Sequence, residues 1–159
     1  MADFDPADAD LSLASLFAGW ALADELQRRL GADGFEDSRF ADGVIFQHLV
    51  TAPVTISTLA DLLGVTQQAA SKSVADLQKR GYLSRAPDPD DARAKLVTLT
   101  PRGQAVIASA RKHRAAIELE LQESLGAARI DAARLLLIDV LHHLNATPAL
   151  RSRRVRPPT

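Results

Sequence analysis

The sequence predicts a mainly α-helical chain of α+β class, in which one short hairpin interrupts a run of helices. Three observations carry this reading. Aromatic residues are scarce at 4%, while alanine and leucine abound, which favours helix over sheet. Apolar residues recur at helical spacing along most of the chain. Near residues 82–100 the period changes: "YLSR" and "KLVTLT" are short runs rich in β-formers, with "PDPDDARAK" at the turn between them.

The elements follow in order. Residues 1–10, with four aspartates and one proline, have little to bury and read as a disordered segment. From Leu11 the pattern is helical, with Leu13, Leu16, Trp20 and Leu26 recurring until Gly31 and Gly34 close the run. A second helix is expected from Asp37 to about Val50, with Phe40, Val44 and Leu49 on or near its apolar side; "TAP" breaks it. Thr55 then caps a short helix whose Ile56, Leu59, Ala60 and Leu63 share a face, and Gly64 stops it. Only Val65 separates that stop from Thr66, the N-cap of a helix running to about Arg80 with Ala70, Val74 and Leu77 inward. Helices joined by so tight a turn must cross, which is a helix-turn-helix.

Pro87, Asp88, Pro89 and Asp90 are expected to shape the hairpin tip. Thr100 and Pro101 start a long helix ending near Gly126, and a last helix spans about Asp131–Leu144, with Leu135, Ile138 and Leu141 or His142 inward. The tail 147–159 is basic and loose. The expected organisation is therefore a disordered 1–10, a helical dimerisation region from 11–35 and 101–146, and a winged helix-turn-helix over 36–100.

The net charge of −1 hides an asymmetry. Residues 1–63 hold 3 basic against 11 acidic residues, whereas residues 64–115 hold 10 against 4. The net of +6 in the middle marks where a polyanion would dock. The absence of cysteine excludes disulfides, thiol catalysis and thiolate metal sites. The acidic N-terminus lacks the regions of a signal peptide, and no apolar run approaches the ~20 residues of a membrane span. A soluble, cytoplasmic protein with no membrane partner is expected.

"LADLLGV" followed by "QAASKSVADLQKRGYL", then "DPDDARAK", then "VTLTPRG" together resemble the DNA-binding core of the multiple-antibiotic-resistance regulator (MarR) family. The first pair resembles the family's crossed helices, the second its Asp-x-Arg wing, and the third the return strand and start of the long dimer helix. The resemblance extends more loosely over about residues 11–146. One departure is plain: Ala92 stands where family wings often carry a second arginine.

A helix fits the major groove and presents its N-terminal residues to base edges. Thr66 starts that helix, and Gln67, Gln68, Ser71 and Lys72 lie away from its apolar face, so these are the expected DNA contacts. Glutamine suits adenine, serine reads either kind of group, and lysine suits phosphate or guanine. Arg93 is the expected minor-groove arginine, braced by Asp91, while Arg85 and Lys95 at the wing base would meet phosphates. The competing reading is a solvated helix face and a hairpin-stabilising Asp–Arg pair, but an exposed pair stabilises by only about 0–1 kcal/mol.

One such unit reads too few base pairs, so a homodimer on a palindromic operator is expected. The resemblance implies a repressor released by a small aromatic or lipophilic anion. Trp20, Phe40, Phe46 and His48 are the candidate effector residues, against the alternative that they are core. His142 and His143 diverge by about 100° on a helix, so no metal site is expected. Two other classes compete. An enzyme would need a convergent nucleophile, base or phosphate loop, and none is present in the sequence. A winged helix used as a protein-interaction module, without specific DNA binding, is permitted by fold alone.

Overall fold

Local chemistry starts and stops each helix of the computed structural model, which describes residues 5, 8–88 and 95–147. Helix α1 (Leu11–Ala32) begins where Asp10 accepts the Leu13 N–H at 2.9 Å. Helix α2 (Asp42–Leu49) is short. Strand β1 (Val54–Thr55) leads directly into α3 (Ile56–Leu63), with Thr55 as its N-cap. Gly64 ends α3 at a φ of 66°, a left-handed conformation that glycine adopts without strain. Thr66 then caps α4 (Gln67–Lys79) by accepting from Ala69 N at 3.2 Å.

Strands β2 (Leu83–Pro87) and β3 (Lys95–Leu99) pair antiparallel, Leu83 opposite Leu99 and Pro87 opposite Lys95. Helix α5 (Pro101–Leu125) starts at the Thr100 cap with proline in its first turn, and α6 (Ala127–His143) follows Gly126. The core joins Leu26 and Leu30 of α1, Ile45, Phe46 and Leu49 of α2, Leu59 of α3, Val74 and Leu77 of α4, and Val106 and Ile117 of α5 around Tyr82 and Val97. α3 packs on α4, and α5 packs on α1, α2 and α6.

The mainly helical α+β class stands, and four expectations are corrected. The sheet has three strands in the order β1-β3-β2, because Val54 and Thr55 pair with Val97 and Leu96. Two residues after a proline carry no alternation from which a strand can be read. The second helix begins at Asp42, whose carboxylate accepts the Arg39 N–H at 2.8 Å. Phe40 therefore falls in the turn before α2 and is 52% exposed, off the apolar face; there Ile45 and Phe46 join Leu49 in the core, and Val44 is only half-buried. Pro87 closes β2 rather than shaping the tip, at the strand end opposite Lys95. Finally, α6 starts at Ala127, and no residue of it is buried. Its expected inner stripe, with Leu135 62% exposed, has no cover among the described residues.

Candidate nucleic-acid interface

Helix α4 is seated by an inner face buried to the last ångström: Ala70 and Val74 are 0% exposed and Leu77 is 1%. That seating turns Gln67, Gln68 and Lys72 outward into solvent, with Ser71 half-buried beside them. Gln67, Gln68 and Lys72 make no hydrogen bond or ion pair with any described residue. They stand on the first turns after the Thr66 cap, where the backbone N–H groups and helix dipole also favour an anion.

The wing base sits beside this face. Ser84 and Thr98 share a cross-strand hydrogen bond of 2.7 Å. Lys95 is exposed at the start of β3. Arg85 behaves differently from its neighbours: half-buried, it donates from Nη2 to the Ser71 carbonyl at 3.1 Å. Asp91 and Arg93 lie outside the described residues, as do Pro89, Asp90, Ala92 and Ala94.

The sequence reading missed a second group of residues that hold this face in place. Asp37 accepts from the Tyr82 hydroxyl at 2.5 Å and from Arg102 at 3.1 Å. Burial opposes ionisation of Asp37, but the Tyr82 and Arg102 hydrogen bonds outweigh it and hold its carboxyl below the ordinary range. Burial and the hydrogen bond to Asp37 push the Tyr82 phenol up to about 12. Arg102 also lies over the Tyr82 ring, 4.9 Å from its centroid. Thr100 adds a joint, donating to the Gly81 carbonyl at 2.6 Å while capping α5. A Cβ on Gly103 would collide with the Tyr82 carbonyl, so only glycine lets α5 approach here. The glycine of "TPRG" was the available signal; Asp37 and Tyr82 are 45 residues apart and gave none.

The candidate effector residues are not all brought together. A small cleft of about 80 Å³ opens between α1, α2 and α5, lined by Leu26, Leu30, Phe40, Phe46 and Ile107 among others. Phe46 is 3% exposed and belongs to the core as well. Trp20 and His48 do not line the cleft. Trp20 lies on the exposed side of α1, edge-on to Phe17 at 5.2 Å. Arg111 and Arg114 are exposed on the cleft and have no acidic partner among the described residues. His113 sits apart from the cleft and faces Asp33 at 2.8 Å. Among the described residues no three His, Asp or Glu side chains converge as a metal would require, and no helix is long and apolar enough to cross a membrane.

Comparison with known proteins agrees with this geometry. Residues 43–94 match the model of the MarR family. The fold is similar to that of RV1404 from Mycobacterium tuberculosis, at 24% identity and a TM-score of 0.71 over 89% of this chain and 96% of that one. It is also similar to the transcriptional repressor CouR bound to a 23-mer DNA duplex, at 22% identity and a TM-score of 0.64 over 88% of this chain and 98% of that one. A stretch of 56 residues is 39% identical to riboflavin kinase from Thermoplasma acidophilum, covering 35% of this chain. The chain spans only 24% of that kinase, and 22% of the matching kinase from Thermoplasma volcanium. Over residues 43–94, the segment of the helix-turn-helix and wing, the chain is thus similar to the MarR family, and through the described residues it shares the fold of these solved structures.

Proposed function

We propose that the chain is a dimeric, sequence-specific DNA-binding transcriptional repressor that leaves a palindromic operator when a small anionic effector binds. The observation that carries DNA binding is the outward face of α4: Gln67, Gln68 and Lys72 stand beside a wing with no partner among the described residues, on a segment with a net charge of +6. A helix in that setting enters the major groove while the wing reaches the next groove. Asp91 and Arg93 complete the reading head in this proposal, with Arg93 in the minor groove and Lys95 on phosphate. The match of residues 43–94 to the model of the MarR family supports a regulator rather than an enzyme.

Two observations support the rest. Leu11, Leu13, Leu16, Phe17, Trp20 and Leu22 of α1 and Leu135, Leu136 and Leu137 of α6 are exposed. So large an apolar surface is unusual on a monomer, and a second copy of the chain would cover it. Between α1, α2 and α5, apolar walls meet Arg111 and Arg114, which have no acidic partner among the described residues. That combination suits an aromatic carboxylate, with the ring against Phe40 and Phe46 and its charge at the arginines. Trp20 and His48, which stand outside that cleft, are assigned to the dimer face and to the α2 packing respectively.

Footprinting on the DNA that flanks the chain's own gene tests this function. The expected result is two protected half-sites related by two-fold symmetry. A folded protein that protects no segment of that DNA at low salt overturns the proposal in favour of a protein-interaction module.

A further inference from the structure

Arg80, the residue that ends α4, uses all five of its N–H groups. Nη1 donates to Asp42 Oδ2 at 2.6 Å and to the Asp37 carbonyl at 2.7 Å. Nη2 donates to Asp42 Oδ1 at 2.9 Å and to Asp76 Oδ2 at 2.7 Å, and Nε donates to Asp76 at 3.1 Å. Its side chain is only 11% exposed and that of Asp42 8%. A guanidinium has five donors and no more, so this one has none left for a phosphate. Its partners matter as much as its geometry. Asp42 also accepts the Arg39 N–H and so fixes the turn before α2. Ser38, Arg39 and Phe40 of that turn line the cleft between α1, α2 and α5, and Gln27, on the same cleft, donates to the Ser38 carbonyl at 2.6 Å. The connection around residues 37–42 is therefore at once a wall of the cleft and the seat of the reading helix.

We propose that Arg80 is a positioning residue for DNA recognition, seating α4 on the 37–42 connection and thereby coupling the cleft to the reading head. The proposal rests on the DNA-binding function above. It requires that any change imposed on that connection from the cleft side moves α4, and that DNA binding at α4 tightens the connection in return, since coupling is reciprocal.

Arg80→Lys tests it. Lysine keeps the charge but is a single point of donors, unable to hold two carboxylates and a carbonyl in one plane. In the full chain with duplex DNA from beside its own gene, affinity is expected to fall about tenfold, in line with coupling carried by one packed network. The dependence of affinity on salt is expected to stay as in the wild type, because no phosphate contact is lost. Hydrogen exchange gives the second readout. In the wild type, DNA binding is expected to slow exchange both in α4 and across residues 37–42. In Arg80→Lys at saturating DNA, α4 is expected to slow while 37–42 does not. If the variant does not fold, Asp42→Asn, which leaves Arg80 its Asp37 and Asp76 partners, is expected to give the same pattern in milder form. Wild-type affinity in the folded variant overturns the proposal, and so does a weakened salt dependence, which would put Arg80 on the DNA itself. Wild-type protein that binds the duplex with no change at 37–42 overturns the coupling alone. Folded wild-type protein that binds no flanking duplex removes the DNA-binding function, and the proposal with it.

Discussion

Arg85 of β2 donates to the Ser71 carbonyl of α4 at 3.1 Å, so one wing strand is tied by a side chain to the second helix of the helix-turn-helix. The bond gives the wing a fixed offset from α4, which a protein needs if one element is to follow one groove and the other the next. Arg85→Ala is expected to lower the affinity for operator DNA while leaving the salt dependence unchanged. The stability loss is expected to be about 1 kcal/mol, the ordinary worth of one hydrogen bond. Equilibrium binding at several salt concentrations checks this; a shallower dependence on salt would mean that Arg85 meets a phosphate instead.

Tyr82 is the only tyrosine in the chain, so absorbance near 295 nm follows its ionisation alone. Burial and the hydrogen bond to Asp37 push it up to about 12, so its midpoint is expected well above the ordinary value of about 10. A group raised in the folded state stabilises below its unfolded pKa, and that contribution is lost as pH rises from about 10 toward 12. Asp37 has the opposite sign. Held below the ordinary carboxylate range, it stabilises above about pH 4, and its contribution is lost as pH falls further. Tyr82→Phe is expected to abolish the first effect, to weaken the second and to cost about 1.5–3 kcal/mol, as for a hydrogen bond to a charged group. A Tyr82 midpoint near 10 in the folded protein would contradict the buried Tyr82–Asp37 pair.

Gly103→Ala is expected to destabilise the fold by about 1–3 kcal/mol, since the new methyl meets the Tyr82 backbone, which cannot move as a side chain can. Thermal unfolding beside Gly19→Ala, whose added Cβ would meet nothing, provides the internal control. Equal stability of the two variants would mean that α5 does not approach the wing so closely.

Trp20 is the only tryptophan, and it is 54% exposed in the single chain. If α1 and α6 are the dimer face, its emission is expected at shorter wavelength in concentrated protein and to shift red on dilution. Leu136→Glu is expected to produce the red-shifted, monomeric form at all concentrations, measured together with sedimentation. A monomeric wild type with solvent-exposed emission throughout would refute the dimer.

In the proposed function Gln68 reads a base edge, so Gln68→Ala is expected to change sequence preference with little change in salt dependence, at about 1–3 kcal/mol for one base pair. Competition between operator variants measures this, and a uniform loss across all sequences would put Gln68 on the backbone.

The helix-turn-helix was legible because its signals are local. Thr55, Gly64, Thr66 and Gly81 each mark an end within a turn, and the Ala70–Val74–Leu77 stripe repeats at helical period. The third strand was hidden because Val54 and Thr55 become a strand only by pairing with residues more than 40 positions away. Phe40 was placed on a helix because hydrophobic periodicity cannot see that α2 begins only at Asp42, whose carboxylate turns back to the Arg39 N–H. The clamp on α4 was half visible: Asp76 and Arg80 have helical i,i+4 spacing, but Asp42 is 38 residues from Arg80. The face of α6 could be read as apolar from its leucines, yet whether those leucines turn inward depends on what packs there, and nothing among the described residues covers them.

The salt dependence of binding to duplex DNA from beside the chain's own gene tests the central claim most directly. Phosphate neutralisation releases counterions, so the logarithm of affinity is expected to fall linearly and steeply with the logarithm of salt concentration. Lys72→Gln is expected to reduce that slope by about one phosphate's share while leaving the fold intact. Affinity that is flat with salt, or a slope untouched by Lys72→Gln together with wild-type affinity, would contradict a nucleic-acid interface on the outward face of α4.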